Sequence, residues 1–342
     1  MKKILVTGGT GYIGSHTVVE LQQQGYQVII VDNLSNSSID VVENIRKITG
    51  VLPEFEQVDL SDVLLTADFF SRHRDLDGVI HFAAFKAVGE SVANPLMYYH
   101  NNLFSLVNVM NGMKANGIKY LVFSSSCTVY GQPEQLPVTE KAPIQKAWSP
   151  YGNTKQMCEE ILGFSVKPAG VKAIALRYFN PIGAHESALI GELPLGTPNN
   201  LMPFVTQTAI GIRECLSVFG GDYDTPDGTA IRDYIHVVDL AKAHVVAVER
   251  LIQNKYKSDL EIFNLGTGDG FSVLDVIRSF EKMTKQKLNY KIVDRRPGDV
   301  EKVWADTCFA NEELGWKAEK SLDEMTLSSW EWEKRLAERR LE

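Results

Sequence analysis

The stretch that decides the fold is Met1–Gly14, MKKILVTGGTGYIG. Ile4, Leu5 and Val6 form a short apolar run that enters a glycine-rich turn, and the residues from Tyr12 onward have helical spacing. The pattern predicts strand, tight turn and helix, with Gly8, Gly11 and Gly14 spaced three apart. Such a turn aims backbone N–H groups and the positive end of a helix dipole at one spot, where a pyrophosphate can sit. Gly8 makes the turn, Gly11 lets a phosphate approach, and Gly14 lets helix and strand pack closely. The spacing is Gly-x-x-Gly-x-x-Gly rather than Gly-x-Gly-x-x-Gly. A plain glycine turn therefore competes with the dinucleotide reading until the flanks are considered.

The next segment supports the dinucleotide. Tyr26–Asp32 reads as a second buried strand ending in an acid eighteen residues past Gly14. A carboxylate there accepts both hydroxyl hydrogens of an adenosine ribose and repels a 2′-phosphate, which selects NAD over NADP. Asn33, Asn36 and Ser37 follow in a polar loop suited to finishing that pocket. Further strands are expected at 55–60, 76–82, 120–124 and 173–179, with Asp59 near the adenine side and small Ala83 and Ala84 permitting close backbone approach. Helices are expected at 95–113 and 150–166. In the first, Leu96, Tyr99, Leu103, Leu106, Val107 and Met110 form an apolar stripe, interrupted by Asn101 and Asn102, of which at least one is expected to face a site. Alternating strand and helix predict an α/β, Rossmann-type doubly wound parallel sheet.

From Asn180 the rhythm breaks into Gly- and Pro-rich excursions, then a helix from Leu201, a strand at 216–219, and a strand–helix unit over 233–250. A strand at Ile262, a helix at 272–283, a strand at Tyr290 and a Trp-containing helix from Leu322 complete the chain. We expect a dinucleotide-binding domain over 1–179, with about 233–265 packing back on it. The rest of 180–342 forms a smaller mixed α/β C-terminal domain.

With 342 residues, 44% of them apolar and 23% charged, the composition is that of an ordinary globular chain. A formal charge of −8 and the lack of a basic block with aromatics argue against nucleic acid. No run of eighteen apolar residues predicts a membrane span, and no leader pattern precedes the first strand, so a cytoplasmic protein is expected. Cys127, Cys158, Cys215 and Cys308 are scattered and the histidines lack ligand spacing, so neither disulfides nor a metal is expected. His81 is read as strand packing, His236 as flanking a site, and His185 as part of a flexible loop.

Tyr151 and Lys155 lie four apart at the start of a helix and so share a face. A nearby ammonium favours the phenolate, and a cationic nicotinamide would do so further, bringing a group with an ordinary pKa near 10 toward use as a base. The Ser124-Ser125-Ser126 strand end can offer a hydroxyl to the same substrate oxygen. Tyr-x-x-x-Lys is common on helix surfaces; here it follows a dinucleotide turn, a ribose acid and a serine cluster, in that order.

On these residues the sequence resembles the extended short-chain dehydrogenases/reductases, and within them the UDP-glucose 4-epimerases, over nearly its whole length. The marks are Thr7–Gly14, His81–Ser91, Ser124–Gly131, Tyr151–Lys155, Arg177–Pro181, Pro198–Pro203, Arg232–Val237 and Arg296–Asp299. The resemblance implies Tyr151 as base and acid at the sugar 4-hydroxyl, Ser126 as its hydrogen-bonding partner, and Lys155 on the nicotinamide ribose. It implies tightly held NAD+ on Tyr12, Ile13, Asp32, Asn33, Asn36, Ser37, Asp59, Leu60, Phe82, Ala83, Lys86, Asn101 and Tyr178. For the UDP-hexose it implies Lys86, Asn180, Asn200, Leu201, Arg232, Tyr234, Arg296, Asp299 and Val303, and for the assembly a homodimer. Two arginines also suit a diphosphate on physical grounds, because guanidinium forks onto phosphate oxygens.

Two departures sharpen this. Related dehydratases need an Asp-Glu pair after the catalytic hydroxyl residue, where this chain has Cys127 and Thr128. Val303 stands where many bacterial epimerases have tyrosine, which leaves room beside the C2 substituent and extends the expected substrates to UDP-N-acetylglucosamine. A 4-epimerase for another nucleotide sugar such as UDP-glucuronate is the alternative. A non-catalytic NAD-binding regulator is a third reading, disfavoured because Ser126, Tyr151 and Lys155 are all present.

Overall fold

Seven parallel strands organise the chain. The computed structural model describes residues 1–296 and 300–340. Its first half alternates β1 (Lys3–Thr7), α1 (Tyr12–Gln23), β2 (Gln27–Asp32), α2 (Asp40–Thr49), β3 (Glu54–Gln57), α3 (Val63–Arg72) and β4 (Gly78–His81). Then come α4 (Val88–Ala93), α5 (Pro95–Asn116), β5 (Tyr120–Ser124), a 3₁₀ turn over Cys127–Tyr130, α6 (Pro150–Ala169) and β6 (Lys172–Tyr178). Further on are β7 (Asn180–Ile182), α7 (Leu201–Ala209), β8 (Leu216–Phe219), β9 (Ile231–Arg232), β10 (Tyr234–His236) and α8 (Val237–Ile252). The chain continues through β11 (Leu260–Leu265), β12 (Phe271–Ser272), α9 (Val273–Thr284), β13 (Tyr290–Val293), β14 (Lys302–Val303), α10 (Cys308–Glu313) and α11 (Leu322–Arg339).

The main sheet runs β11-β6-β5-β4-β1-β2-β3. Its order reverses between β1 and β4, which opens a crevice beyond their carboxyl ends, the usual ligand position in such sheets. Side chains alternate along each strand: Ile4 and Val6 enter the core beneath α1, α2 and α8, while Leu5 enters the one beneath α3, α5 and α6. Both faces of the central strands are covered, so β1, β2, β4 and β5 are largely apolar, whereas the edge strand β3 is polar and partly exposed.

Helix α8 lies against α1, β5 and β6, and β11 adds a strand beside β6. α10 and Trp316 join the same core. A separate core gathers Ile182, Met202, Leu216, Tyr234, Phe280, Met325 and Trp330 from α7, α9, α11 and short strands. Helices α2 and α3 are additions to the expected elements.

The apolar stripe expected on α5 is buried at Leu106 and Met110 and packs on the core at Leu103, but it does not cover the whole buried face. Leu96, Phe104 and Val107 are exposed, while Tyr98, Asn102, Ser105, Val109 and Met113 are buried. Asn102 is stable inside because its amide bonds both backbone groups of Phe85 and the Thr154 hydroxyl. Among the described residues no helix is long and apolar enough to cross a membrane.

Candidate active site

A cleft of about 540 Å³ opens at the β1/β4 switch point. Its floor is the glycine turn. Gly8 has φ +68°, and a Cβ there would stand 2.8 Å from the Ala83 nitrogen; one on Gly14 would stand 2.2 Å from the Gly8 carbonyl oxygen. The turn is therefore available to glycine only. Among the described residues no side chain caps α1, and its first turn carries no acid, so its leading N–H groups face the cleft as an anion cradle.

Asp32 closes the far end. Its carboxylate accepts from Leu34 N (2.9 Å), Thr10 N (3.3 Å) and Ser37 Oγ (3.2 Å), which tie the β2 tip to the glycine turn. Asn33, Asn36, Ser37, Asp59 and Leu60 line the same end. Tyr12, Ile13, Phe82, Ala83, Lys86 and Asn101 also line the cleft, and Tyr178 lines it together with Tyr151 and Lys155, bonded to the Ser124 that holds Lys155. The glycine cradle, the open helix end and the strand-end acid together fit a dinucleotide. Thr10, Glu192 and Trp332 also line the cleft, and none was legible beforehand, because Glu192 sits in the irregular Gly/Pro-rich stretch. Glu192 accepts from Asn200 Nδ2 (2.5 Å) and Lys86 Nζ (3.3 Å), so it joins the two walls.

Tyr151 and Lys155 come from the first turns of α6, whose start is set by Pro150 and the Ser149 side-chain cap. Lys155 Nζ donates to the Ser124 carbonyl at 2.7 Å and lies 5.9 Å from the Tyr151 ring centre. Burial lowers Lys155 to about 8. Burial also raises the Tyr151 phenol well above 10, with Tyr178 adding to it and the Ser126 hydroxyl bond opposing it. Desolvation penalises the charged form of both groups, and a positive charge beside Tyr151 opposes that penalty. Ser124 Oγ donates to the Tyr178 hydroxyl at 3.0 Å. Ser126 caps the 3₁₀ turn, its Oγ accepting from Thr128 N and Thr128 Oγ1. Burial pushes the Cys127 thiol up to about 12.

Asn180, Arg232, Tyr234 and Val303 lie outside that cleft but are brought together by strand pairing. Tyr234 sits opposite Asn180, and Val303 opposite Arg232. Asp233 between them is fully buried and accepts from Thr267 N, Thr267 Oγ1, Gly268 N and Ala305 N. Its partners are 34 to 72 positions away in the chain, so no local pattern could have singled it out. Asn200 precedes the first residue of α7, Leu201, which packs on the C-terminal core. Arg296 lies 5.5 Å from the Phe219 ring. Asp299 lies outside the described residues.

His81 packs as expected, its Nδ1 2.8 Å from Thr7 Oγ1. His236 caps α8, accepting from Val238 N. His185 is buried in a turn with Ser187. Among the described residues no cluster of His, Cys, Asp and Glu could hold a metal ion.

A dinucleotide cradle at the switch point, with Tyr151 and Lys155 on one helix face at its end, defines the class as the extended short-chain dehydrogenases/reductases. Residues 5–328 match the family model described as GDP-mannose 4,6 dehydratase. The UDP-glucose 4-epimerase of Bacillus subtilis is 50% identical over 331 residues, 96% of each chain. Two solved structures are similar throughout. One is the UDP-glucose 4-epimerase of Stenotrophomonas maltophila with bound NAD and formylated UDP-arabinopyranose (TM-score 0.95, 47% identity, covering 99% of this chain and 100% of that one). The other is that of Bifidobacterium longum with NAD+ and UDP (TM-score 0.92, 47% identity, 98% of each). The chain belongs to the UDP-glucose 4-epimerase family.

Proposed function

We propose that this chain interconverts UDP-glucose and UDP-galactose at C4, with NAD+ retained between turnovers. The observation that carries the reading is Tyr151 and Lys155, both buried, at the end of a cleft whose other end is the glycine turn and Asp32. Bound NAD+ supplies a hydride acceptor that becomes the donor of the return step. Tyr151 Oη takes the proton of the sugar 4-hydroxyl as that carbon is oxidised to a ketone, and Ser126 Oγ steadies the same oxygen. Lys155, held by the Ser124 carbonyl, is the nearby positive charge that favours the phenolate. The 4-ketose turns over about its bond to the diphosphate, and Tyr151 returns the proton on the opposite face. That turn requires a firmly held nucleotide and a loosely held hexose.

The division of labour follows. Gly8, Gly11, Tyr12, Ile13, Gly14, Asp32, Asn33, Asn36, Ser37, Asp59, Leu60, Phe82, Ala83, Lys86, Asn101 and Tyr178 hold the dinucleotide from 1–179. Asn180, Asn200, Leu201, Arg232, Tyr234, Arg296 and Asp299, from 180–342, hold the UDP. With Cys127 and Thr128 after Ser126, there is no acid pair to eliminate water, which favours epimerisation over the dehydratase reaction. Val303, packed with Val129, Tyr130 and Phe179, extends the range to UDP-N-acetylglucosamine, because tyrosine there would fill space beside the sugar.

The active form is a homodimer built on α5 and α6, which pack together. Leu96 on α5 is 80% exposed and Phe164 on α6 is 84% exposed, and Phe104 and Val107 on α5 are also exposed. The four cysteines are free, in keeping with a cytoplasmic setting. Purified protein should convert UDP-galactose with no dinucleotide added; a folded, dinucleotide-replete sample that fails to do so overturns the reading.

A further inference from the structure

Behind the serine turn lies a buried chain of polar side chains that no step above uses. Glu159 sits on α6, four residues past Lys155 and eight past Tyr151, and is buried. Its Oε1 accepts from Ser125 Oγ at 2.5 Å and from Arg177 Nε at 2.9 Å, and its Oε2 from Arg177 Nη2 at 2.5 Å. Arg177, on β6, also donates Nη1 to the Tyr130 hydroxyl at 2.9 Å and lies 4.8 Å from that ring's centre. Tyr130 in turn donates to Asn264 Oδ1 at 2.6 Å.

Burying an ion pair is a poor way to gain stability, since desolvation offsets most of the attraction and an apolar pair often serves as well. What this pair adds is direction. Ser125 precedes Ser126 and is fixed by Glu159; Tyr130 ends the turn that follows Ser126 and is fixed by Arg177. Ser126 therefore hangs between two anchors, and one of them belongs to the helix that carries Tyr151 and Lys155.

We propose that Glu159 and Arg177 are positioning residues that hold the Ser126 hydroxyl against Tyr151. The proposal rests on Ser126 and Tyr151 being catalytic, as proposed above. It makes Glu159 act through Ser126, and a double-mutant cycle detects that directly. Glu159→Gln, Ser126→Ala and the double variant are compared for kcat and KM on UDP-galactose, with melting temperature and bound dinucleotide measured on each. Glu159→Gln should lower kcat roughly 10- to 100-fold, the scale of an ångström-sized misplacement, leaving KM and bound dinucleotide near the wild-type values. In the Ser126→Ala background the same change should cost less than about threefold.

A full multiplicative loss in that background overturns the proposal. So does an unchanged kcat in folded Glu159→Gln, or a loss shared equally by KM and dinucleotide content. Should Glu159→Gln fail to fold, Ser125→Ala and Tyr130→Phe, each removing one bond of the chain, are read in the same two backgrounds with the same criteria and smaller expected losses. An unchanged kcat for Ser126→Ala by itself overturns the catalytic reading beneath the proposal.

Discussion

Replacing Gly14 by alanine tests how the glycine turn binds its ligand. The new Cβ would stand 2.2 Å from the Gly8 carbonyl oxygen, 2.9 Å from Gly9 Cα and 3.0 Å from the Gly8 carbonyl carbon, where ordinary contact begins at 3.4 Å. All three atoms are backbone, and the turn cannot yield easily. The Gly8 carbonyl already accepts from Gly11 N at 3.0 Å, and Gly8 N donates to Val31 O at 2.7 Å. Helix α1 must instead move outward by about 1.2 Å at its first turn. That disturbs its packing on α8 and the Tyr12 hydroxyl bond to the Gly183 carbonyl. Overpacking of this kind costs about 1–3 kcal/mol, a drop of a few degrees in melting temperature for a chain of this length. The functional loss should be larger, because the displaced N–H groups are the proposed phosphate donors. Calorimetry and the dinucleotide released on denaturation read the two effects separately. Gly25→Ala is the control: φ is +82° there with nothing within 4 Å of the added carbon, so it costs about 1–2 kcal/mol of backbone strain without touching the cleft. Equal dinucleotide content in the two variants would refute the reasoning.

Tyr151→Phe should lower kcat by roughly 10²–10⁴-fold, the usual worth of a positioned acid–base group, with bound dinucleotide retained; steady-state kinetics checks it. Lys155 has a folded pKa of about 8 against an ordinary 10.5, so between those values the unfolded chain binds more protons. Stability relative to Lys155→Met should therefore rise as pH increases from 8 to 10.5, read by denaturant titration. Burial holds His16 and His81 at about 3 and His236 and His244 at about 4, against an ordinary 6.5. These side chains stay neutral in the fold, so stability should fall as pH drops below 6.5 and continue falling toward 3, as melting curves at stepped pH will report. Val303→Tyr should lower kcat/KM on UDP-N-acetylglucosamine far more than on UDP-glucose. Phe164→Glu should yield monomers in sedimentation equilibrium.

The sheet was legible because strands covered on both faces are continuous apolar runs, as at Val28–Val31 and Leu121–Phe123. Much of the cleft lining was legible too, since residues such as Gly8, Asp32 and Phe82 follow strand ends in a fixed order. Helix α2 carries its own signal in Val41, Val42, Ile45 and Ile48, yet its many polar residues hid it among loops. On α5 the hydrophobic pattern marked Leu106 and Met110 but missed the rest of the buried face, because hydropathy does not register that Asn102 and Asn108 satisfy their amides inside, Asn108 on the Leu60 and Ser61 carbonyls. The Glu159–Arg177 chain and Asp233 were illegible for another reason. Their partners converge from distant strands, and only the folded topology brings them together.

In the proposed reaction hydride leaves C4 and returns to the same carbon inside one closed site. UDP-galactose deuterated at C4, incubated with the purified protein in ordinary water with no added dinucleotide, tests it most directly. The UDP-glucose formed should keep its deuterium at C4. Product carrying solvent hydrogen at that position would contradict it.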